Sequence, residues 1–342
     1  MKSIDFSRYA VSISIAAALL AGCGGSQPPV AAPGATSQQA VRLPNQLRGE
    51  SSGSILYVSQ GHHVTILTYP ELRILGKFKN PTKYGLGQGC PDNVSGNIYF
   101  PMASHYVDLH VGSGLTEYAD GGTKPIGSLK PPHGEYAVNC AVDATTGNIA
   151  VILGTEQDSG EVGIYAPGSQ RPVRFRYPDM HWYASCGYDD MGNLFVEGET
   201  NKKFLFLELP KGGSKLIKLS LNPKKVTLGF PVQWDGSYVT IEYLDLDTAI
   251  LTIYRISVSG SKATEVGNTK LRGAGLNSWI QDGSTVITGR CCKDANSSSV
   301  LFYNYPAGGK PRSVFKGLRK PHGGPRREVL GLVVATPLSG VR

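Results

Sequence analysis

The sequence predicts an all-β chain, a six-bladed β-propeller with four-stranded blades whose C-terminal strand closes the first blade. Three observations predict it. Short apolar runs of strand composition recur at a period of about 40–50 residues, the spacing of propeller blades. A turn glycine recurs at nearly the same spacing. Almost nothing in the body carries the three- and four-residue apolar spacing of a helix.

The runs are Ile55-Leu56-Tyr57-Val58, Ile98-Tyr99-Phe100, Ile149-Ala150-Val151-Ile152, Leu194-Phe195-Val196, Tyr238-Val239-Thr240-Ile241 and Thr285-Val286-Ile287. Their first residues lie 43, 51, 45, 44 and 47 positions apart. The turn glycines are Gly121, Gly168, Gly212, Gly260 and Gly308, separated by 47, 44, 48 and 48. In the third unit the strands are expected around 138–142, 148–153, 161–165 and 172–177. An Asp followed by Gly-Asn closes the first hairpin of that unit, because Asp binds nearby backbone N–H groups and Gly tolerates positive φ.

Five complete units begin near residues 86, 136, 183, 229 and 276. The first unit, 54–80, holds only three strands, and residues 328–335 form a strand with no partners of their own. Placing that strand innermost in the first unit closes a ring of six and leaves no open array edge.

The N-terminus stands outside this ring. Lys2 and Arg8 precede an apolar run from Ala10 to Leu20, too short for a spanning helix of about 20 residues. Residues 1–22 are therefore expected to be a signal peptide. Leu20-Ala21-Gly22-Cys23 resembles the bacterial lipobox, which implies that Cys23 carries the lipid. Residues 23–53 read as the lipidated Cys and a flexible tether rich in Gly, Pro, Ser and Gln, and residues 54–342 as the propeller domain. The expected location is the bacterial cell envelope, membrane-anchored by lipid, periplasmic or at the cell surface.

Formal charge is +8, and removing residues 1–22 takes away Lys2, Arg8 and Asp5 to leave +7. The densest basic group, including Arg319, Lys320, Arg326 and Arg327, has neither helical spacing nor interleaved aromatics. It reads as a solvated loop, not a nucleic-acid surface.

"NCAVDATTGNIAV" and "SCGYDDMGNLFV" resemble the repeat of NHL-type propellers. Units five and six shorten it to Trp234-Asp235-Gly236 and Gln281-Asp282-Gly283, and the WD40 Gly-His…Trp-Asp pairing is missing. The resemblance implies a fold, and propellers host hydrolases, lyases, receptors and scaffolds alike. Within the related gluconolactonase/regucalcin type, a divalent metal held by Glu, Asn and Asp hydrolyses lactones. Glu50 and Asn139 are the weak counterparts here, and no motif locates the Asp. That alternative, a metal-dependent lactonase-like hydrolase, is the only reading that needs a cofactor.

There is no Gly-x-Ser-x-Gly elbow on a strand–helix turn, no His-Glu-x-x-His and no phosphate-binding Gly-rich loop. Cys90, Cys140, Cys186, Cys291 and Cys292 remain after Cys23, an odd number that leaves a thiol over. The first three are expected at one place in three consecutive units, packed as small apolar residues, with disulfides open in an exported chain. Cys291 and Cys292 cannot bridge comfortably to each other, since adjacent Cα atoms lie about 3.8 Å apart.

Loops before the first strand and after the second strand of a blade emerge on one side. His133, His181 and His322 belong to the former, and His62, His63 and His105 to the latter. Tyr84, Tyr136, Trp182, Cys291 and Cys292 map to the same side, and His110 lies elsewhere. These imidazoles and aromatics are the candidate ligand-binding residues. The function expected is a non-enzymatic, membrane-tethered module for an envelope protein, glycan or small molecule. A purely structural envelope scaffold is the further alternative.

Overall fold

The computed structural model describes residues 53–60, 63–79, 87–101, 114–155, 160–200, 203–222, 231–290, 299–318, 329 and 331–336. Blade 1 contains β1 (Ser54–Gln60), β2 (His63–Tyr69) and β3 (Ile74–Lys79). Blade 2 contains β4 (Cys90–Pro91), β5 (Asn97–Pro101), β6 (Leu115–Ala119) and β7 (Pro125–Leu129). Blade 3 is β8 (Glu135–Val142), β9 (Ile149–Thr155), β10 (Gly160–Tyr165) and β11 (Val173–Phe175). Blade 4 is β12 (Trp182–Tyr188), β13 (Leu194–Glu199), β14 (Phe204–Leu209) and β15 (Ile217–Lys218).

The next strand, β16 (Ser220–Asn222), crosses to the outer edge of blade 5. It lies parallel to β20 (Lys262–Arg272), beyond β17 (Gln233–Trp234), β18 (Val239–Asp245) and β19 (Ile250–Ser259). Blade 5 is thus five-stranded, an addition that the repeat alone does not announce. Blade 6 is β21 (Trp279–Gln281), β22 (Thr285–Gly289), β23 (Val300–Asn304) and β24 (Ser313–Phe315). The last strand, β25 (Gly331–Ala335), pairs antiparallel with β1 and completes blade 1, so the ring closes as expected. Its start is tightly packed: a Cβ on Gly331 would sit 2.3 Å from the Gly87 carbonyl oxygen.

Period-two alternation explains why the second strands are apolar on both faces. In β1, Ile55 and Tyr57 pack with Ile98, Phe100 and Tyr118 of blade 2. The intervening Leu56 and Val58 pack with Ile287 and Phe302 of blade 6. Corresponding clusters fill the layers between blades 2 and 3, 3 and 4, 4 and 5, and 5 and 6. Burying one such aliphatic side chain contributes about 1.5–3 kcal/mol, so the core is a ring of inter-blade layers.

The turn chemistry matches the sequence. Gly121, Gly168, Gly212, Gly260 and Gly308 all have positive φ, between 57° and 75°. In the first hairpin of blade 3, Asp143 accepts hydrogen bonds from Thr145 N (2.8 Å) and Thr146 Oγ1 (2.6 Å). In blade 4, Asp189 accepts from Asn193 N and Asn193 Nδ2, both at 2.8 Å.

The cysteines require a correction. Cys140 and Cys186 stand three residues before the hairpin Asp of their units, but Cys90 stands two before Asp92. A shift of one residue turns a strand side chain to the opposite face. Cys90 therefore faces blade 3 while Cys140 faces blade 2, and the two form a disulfide with Cα atoms 5.8 Å apart. Cys186 faces the blade 3 layer, where the position matching Cys90 is Ala141, and it remains a buried free thiol. The packed-thiol expectation therefore holds for Cys186 and fails for the other two. Cys291 and Cys292 lie outside the described residues.

Candidate functional site at the hub

The innermost strands are stitched together by side chains. Asn139 Oδ1 on β8 accepts the Cys186 N–H of β12 at 3.1 Å. Ser185 Oγ on β12 accepts the Val232 N–H at 3.0 Å, and Gln233 Oε1 on β17 accepts the Ile280 N–H at 3.0 Å. Each bond spans 47 residues, one repeat, so every link runs from one innermost strand to the next. The disulfide makes the equivalent link between blades 2 and 3.

These links converge on Ser278, just before β21. Its carbonyl oxygen accepts from Gln233 Nε2 at 2.7 Å and from Gln88 Nε2 at 3.1 Å. Gln88 precedes β4 in blade 2, so blades 2, 5 and 6 meet at this one residue. The Ser278 hydroxyl donates to Glu242 Oε1, and the backbone N–H groups of Ser278 and Asn277 support the same carboxyl.

Glu242 on β18 and Glu197 on β13 occupy the same position of adjacent blades. Glu197 is level with Ser185, as Ile152 is with Asn139. Two neighbouring blades thus place a carboxyl where blade 3 carries Ile152 and blade 2 Pro101. Both are sealed from solvent, at 0% and 1% exposure. Glu242 Oε2 and both oxygens of Glu197 have no hydrogen-bond partner. Burial drives both pKa values well above the ordinary carboxylate range, and Glu242 pushes Glu197 further in that direction. The ion pairs among the described residues join Arg174 to Glu135 and Glu161, and Arg255 to Asp235. Neither hub carboxyl takes part in them.

The residues singled out in the sequence are spread around the rim. His133 sits in the turn before β8 and is exposed. His181 directly precedes β12 with its side chain exposed, and its backbone N–H bonds to Glu199 O at 3.1 Å. Trp182 is half-buried and pairs with Glu199 across β12 and β13, so His181, Trp182 and Glu199 share one corner. His63 opens β2, exposed, in register with Gln60 and Lys79. Among the described residues no group of three His, Cys, Asp or Glu converges to hold a metal. Asn139 is buried with its oxygen engaged by Cys186. Cys23, Glu50, His62, Tyr84, His105, His110 and His322 lie outside the described residues.

A groove of about 480 Å³ lies on the opposite face, between blades 4 and 5. Met191, Pro210, Ile217 and Val258 line it, with Asp189 and Glu208 among them. Burial, with Asp189 adding to it, holds the Glu208 carboxyl above its usual range.

The hub carboxyls were missed by motif reasoning. Their signal is positional: "FVEGE" and "VTIEY" carry Glu inside strands that the other blades keep uncharged.

No family model matches the chain, and no curated protein matches it. Solved structures do. A chain from the crystal structure of a nidogen/laminin complex aligns over 83% of this chain and 98% of its own length, with a TM-score of 0.56 and 13% identity. A protein of unknown function from Bacteroides caccae aligns over 83% and 99%, with a TM-score of 0.52 and 10% identity. At such identity the likeness is one of fold alone. The class is a six-bladed β-propeller.

Proposed function

We propose that this chain is an exported, lipid-anchored propeller that binds a partner protein or ligand outside the cytoplasm. The Cys90–Cys140 disulfide carries the extracytoplasmic part of the reading, because such bridges persist in oxidising compartments. Leu20-Ala21-Gly22-Cys23 and the polar tether supply the anchor, attached through Cys23. Among the described residues no helix is long and apolar enough to cross a membrane. The binding part draws on the fold shared with a chain crystallised in a nidogen/laminin complex. The proposed surface is the side where innermost strands begin, carrying His133, His181 and Trp182.

Metabolic labelling with palmitate tests the anchor. Wild type should incorporate label and Cys23→Ala should not; equal labelling of both ends the lipoprotein reading. For the surface, the double variant His133→Ala/His181→Ala should lower crosslinking to envelope components. Its melting midpoint should stay near wild type, since exposed substitutions cost within about 0.5 kcal/mol. Undiminished crosslinking would move the surface to the opposite face.

A further inference from the structure

The groove between blades 4 and 5 holds an acid that its own blade leaves without a donor. Phe195 on β13, Glu208 on β14 and Ile217 on β15 are cross-strand partners. They form one row on the face of blade 4 that looks toward blade 5, with Phe195 in the apolar layer between the two. Val258 and the Gly260-Ser261 turn of blade 5 line the groove from the other side.

Blade 2 shows what such an acid receives elsewhere in the ring. Glu117 takes the place of Glu208 there, since Tyr99 and Glu117 pair as Phe195 and Glu208 do. Glu117 accepts from Asn97 Nδ2 at 2.5 Å and from the Tyr99 hydroxyl at 3.1 Å. Blade 4 lacks both donors. Phe195 stands in the place of Tyr99 and has no hydroxyl. Asn193, the counterpart of Asn97, gives its amide to Asp189 instead, at 2.8 Å. Blade 3 has Ile164 in this place, and blade 5 has Arg255, which is paired with Asp235. Among the described residues Glu208 has no hydrogen bond and no ion pair. Its neighbour Asp189 adds a second negative charge, and its oxygens are already taken by Met191 N and by Asn193.

We propose that this groove binds a small organic cation, a primary ammonium group on an apolar body, with the ammonium on Glu208. No lysine, arginine or histidine lines the groove to compete for that carboxylate. The body has walls to meet: Met191 and Ile217 are 64% and 37% exposed there, beside Pro210 and Val258. A volume of about 480 Å³ falls in the range of small-molecule sites. One unpartnered carboxylate supplies too few oxygens for a hard metal ion, which takes six or more. A basic protein is disfavoured too, because the formal charge of +8 repels it at long range. This inference does not rest on the lipoprotein reading or on the surface of His133 and His181, which lies on the other face.

Titration of the full-length chain with phenethylammonium, followed by ligand-observed NMR or calorimetry, tests the site. Saturable binding at millimolar concentrations is expected. Phenethyl alcohol keeps the body and removes the charge, and should bind roughly tenfold or more weakly, because a charge-assisted hydrogen bond becomes a neutral one. Methylammonium keeps the charge and removes the body, and should also bind roughly tenfold or more weakly. Glu208→Gln should lower phenethylammonium binding to the level of the alcohol. Asp190→Asn, on the same hairpin but outside the groove lining, should leave it unchanged. Absence of saturable binding, equal binding of phenethylammonium and either other probe, or undiminished binding by Glu208→Gln overturns the proposal. An equal loss in Asp190→Asn also overturns it, by assigning the effect to diffuse charge. Should Glu208→Gln fail to fold, Ile217→Ser at the outer edge takes its place; it should weaken phenethylammonium binding, and undiminished binding there overturns the site.

Discussion

The first-hairpin aspartates and the hub glutamates are equally hidden and oppositely treated. Asp143 and Asp235 are 3% and 7% exposed, Glu197 and Glu242 0% and 1%. Asp235 nevertheless accepts from Ser237 N, Tyr238 N, Arg255 Nε and the hydroxyl of Tyr305, which ties blade 5 to blade 6. Burial pushes the Asp143 pKa up, but the donors Thr146 and Thr145 outweigh it and hold the carboxyl below its ordinary value. At the hub no such donors exist for Glu197, and burial wins. The difference teaches that burial does not decide an acid's state. A tight turn frees N–H groups that an Asp can collect, whereas a strand has already committed them.

The hub's half of this contrast depends on ring closure, which makes the largest perturbation a truncation. Deleting residues 329–342 removes β25 and leaves blade 1 without its innermost strand. The truncated chain should aggregate or lose its cooperative melt, because Leu332, Val333 and Val334 fill two inter-blade layers. Cooperative unfolding by the truncated protein would show that the glutamates are shielded without a closed ring. The disulfide is next in size. Cys90→Ala should lower stability by about 2–4 kcal/mol, as expected for a bridge closing a long loop. The 50-residue separation spans one repeat, so denaturant melts with and without reductant should differ in wild type only.

The ring was legible because its signals are periodic: apolar runs, turn glycines and an Asp at the first hairpin of blades 2 to 6. The closing strand was legible too, since 328–335 is apolar and has no partners in its own unit. The disulfide was obscured by a single residue. Cys90, Cys140 and Cys186 look equivalent until they are counted from the hairpin Asp, and one step decides which face each takes. The hub network was illegible for a different reason. Gln88, Gln233, Ser278 and Glu242 come from three units, and only the closed ring brings them to one place. The fifth strand of blade 5 followed no repeat signal at all.

The next prediction probes the turn. Asp143→Ala strips the Thr145 and Thr146 donors of their acceptor and should cost about 1–3 kcal/mol. Asp143→Asn keeps an acceptor oxygen and should cost less. If both variants match wild type in urea melts, the hairpin closes through its glycine alone.

The smallest expected effect is a difference in sign across pH, measured by urea midpoints. Asp143 has a lowered pKa when folded. Its stabilisation is present above the ordinary Asp value of 3.8 and lost as pH falls through the folded value. Glu197 and Glu242 have raised values when folded. Above the ordinary Glu value of 4.5 the folded chain holds protons that the unfolded chain has released, so stability must decline as pH rises. Between pH 5 and 8 the glutamate effect should dominate, because Asp143 is already ionised in both states. Replacing Glu197 with Gln leaves one hub acid and should flatten that decline, while Asp143→Asn should leave its slope unchanged. An equal slope in wild type and Glu197→Gln would mean that the hub carboxyl is solvated when folded, and the contrast between the two regions would fall.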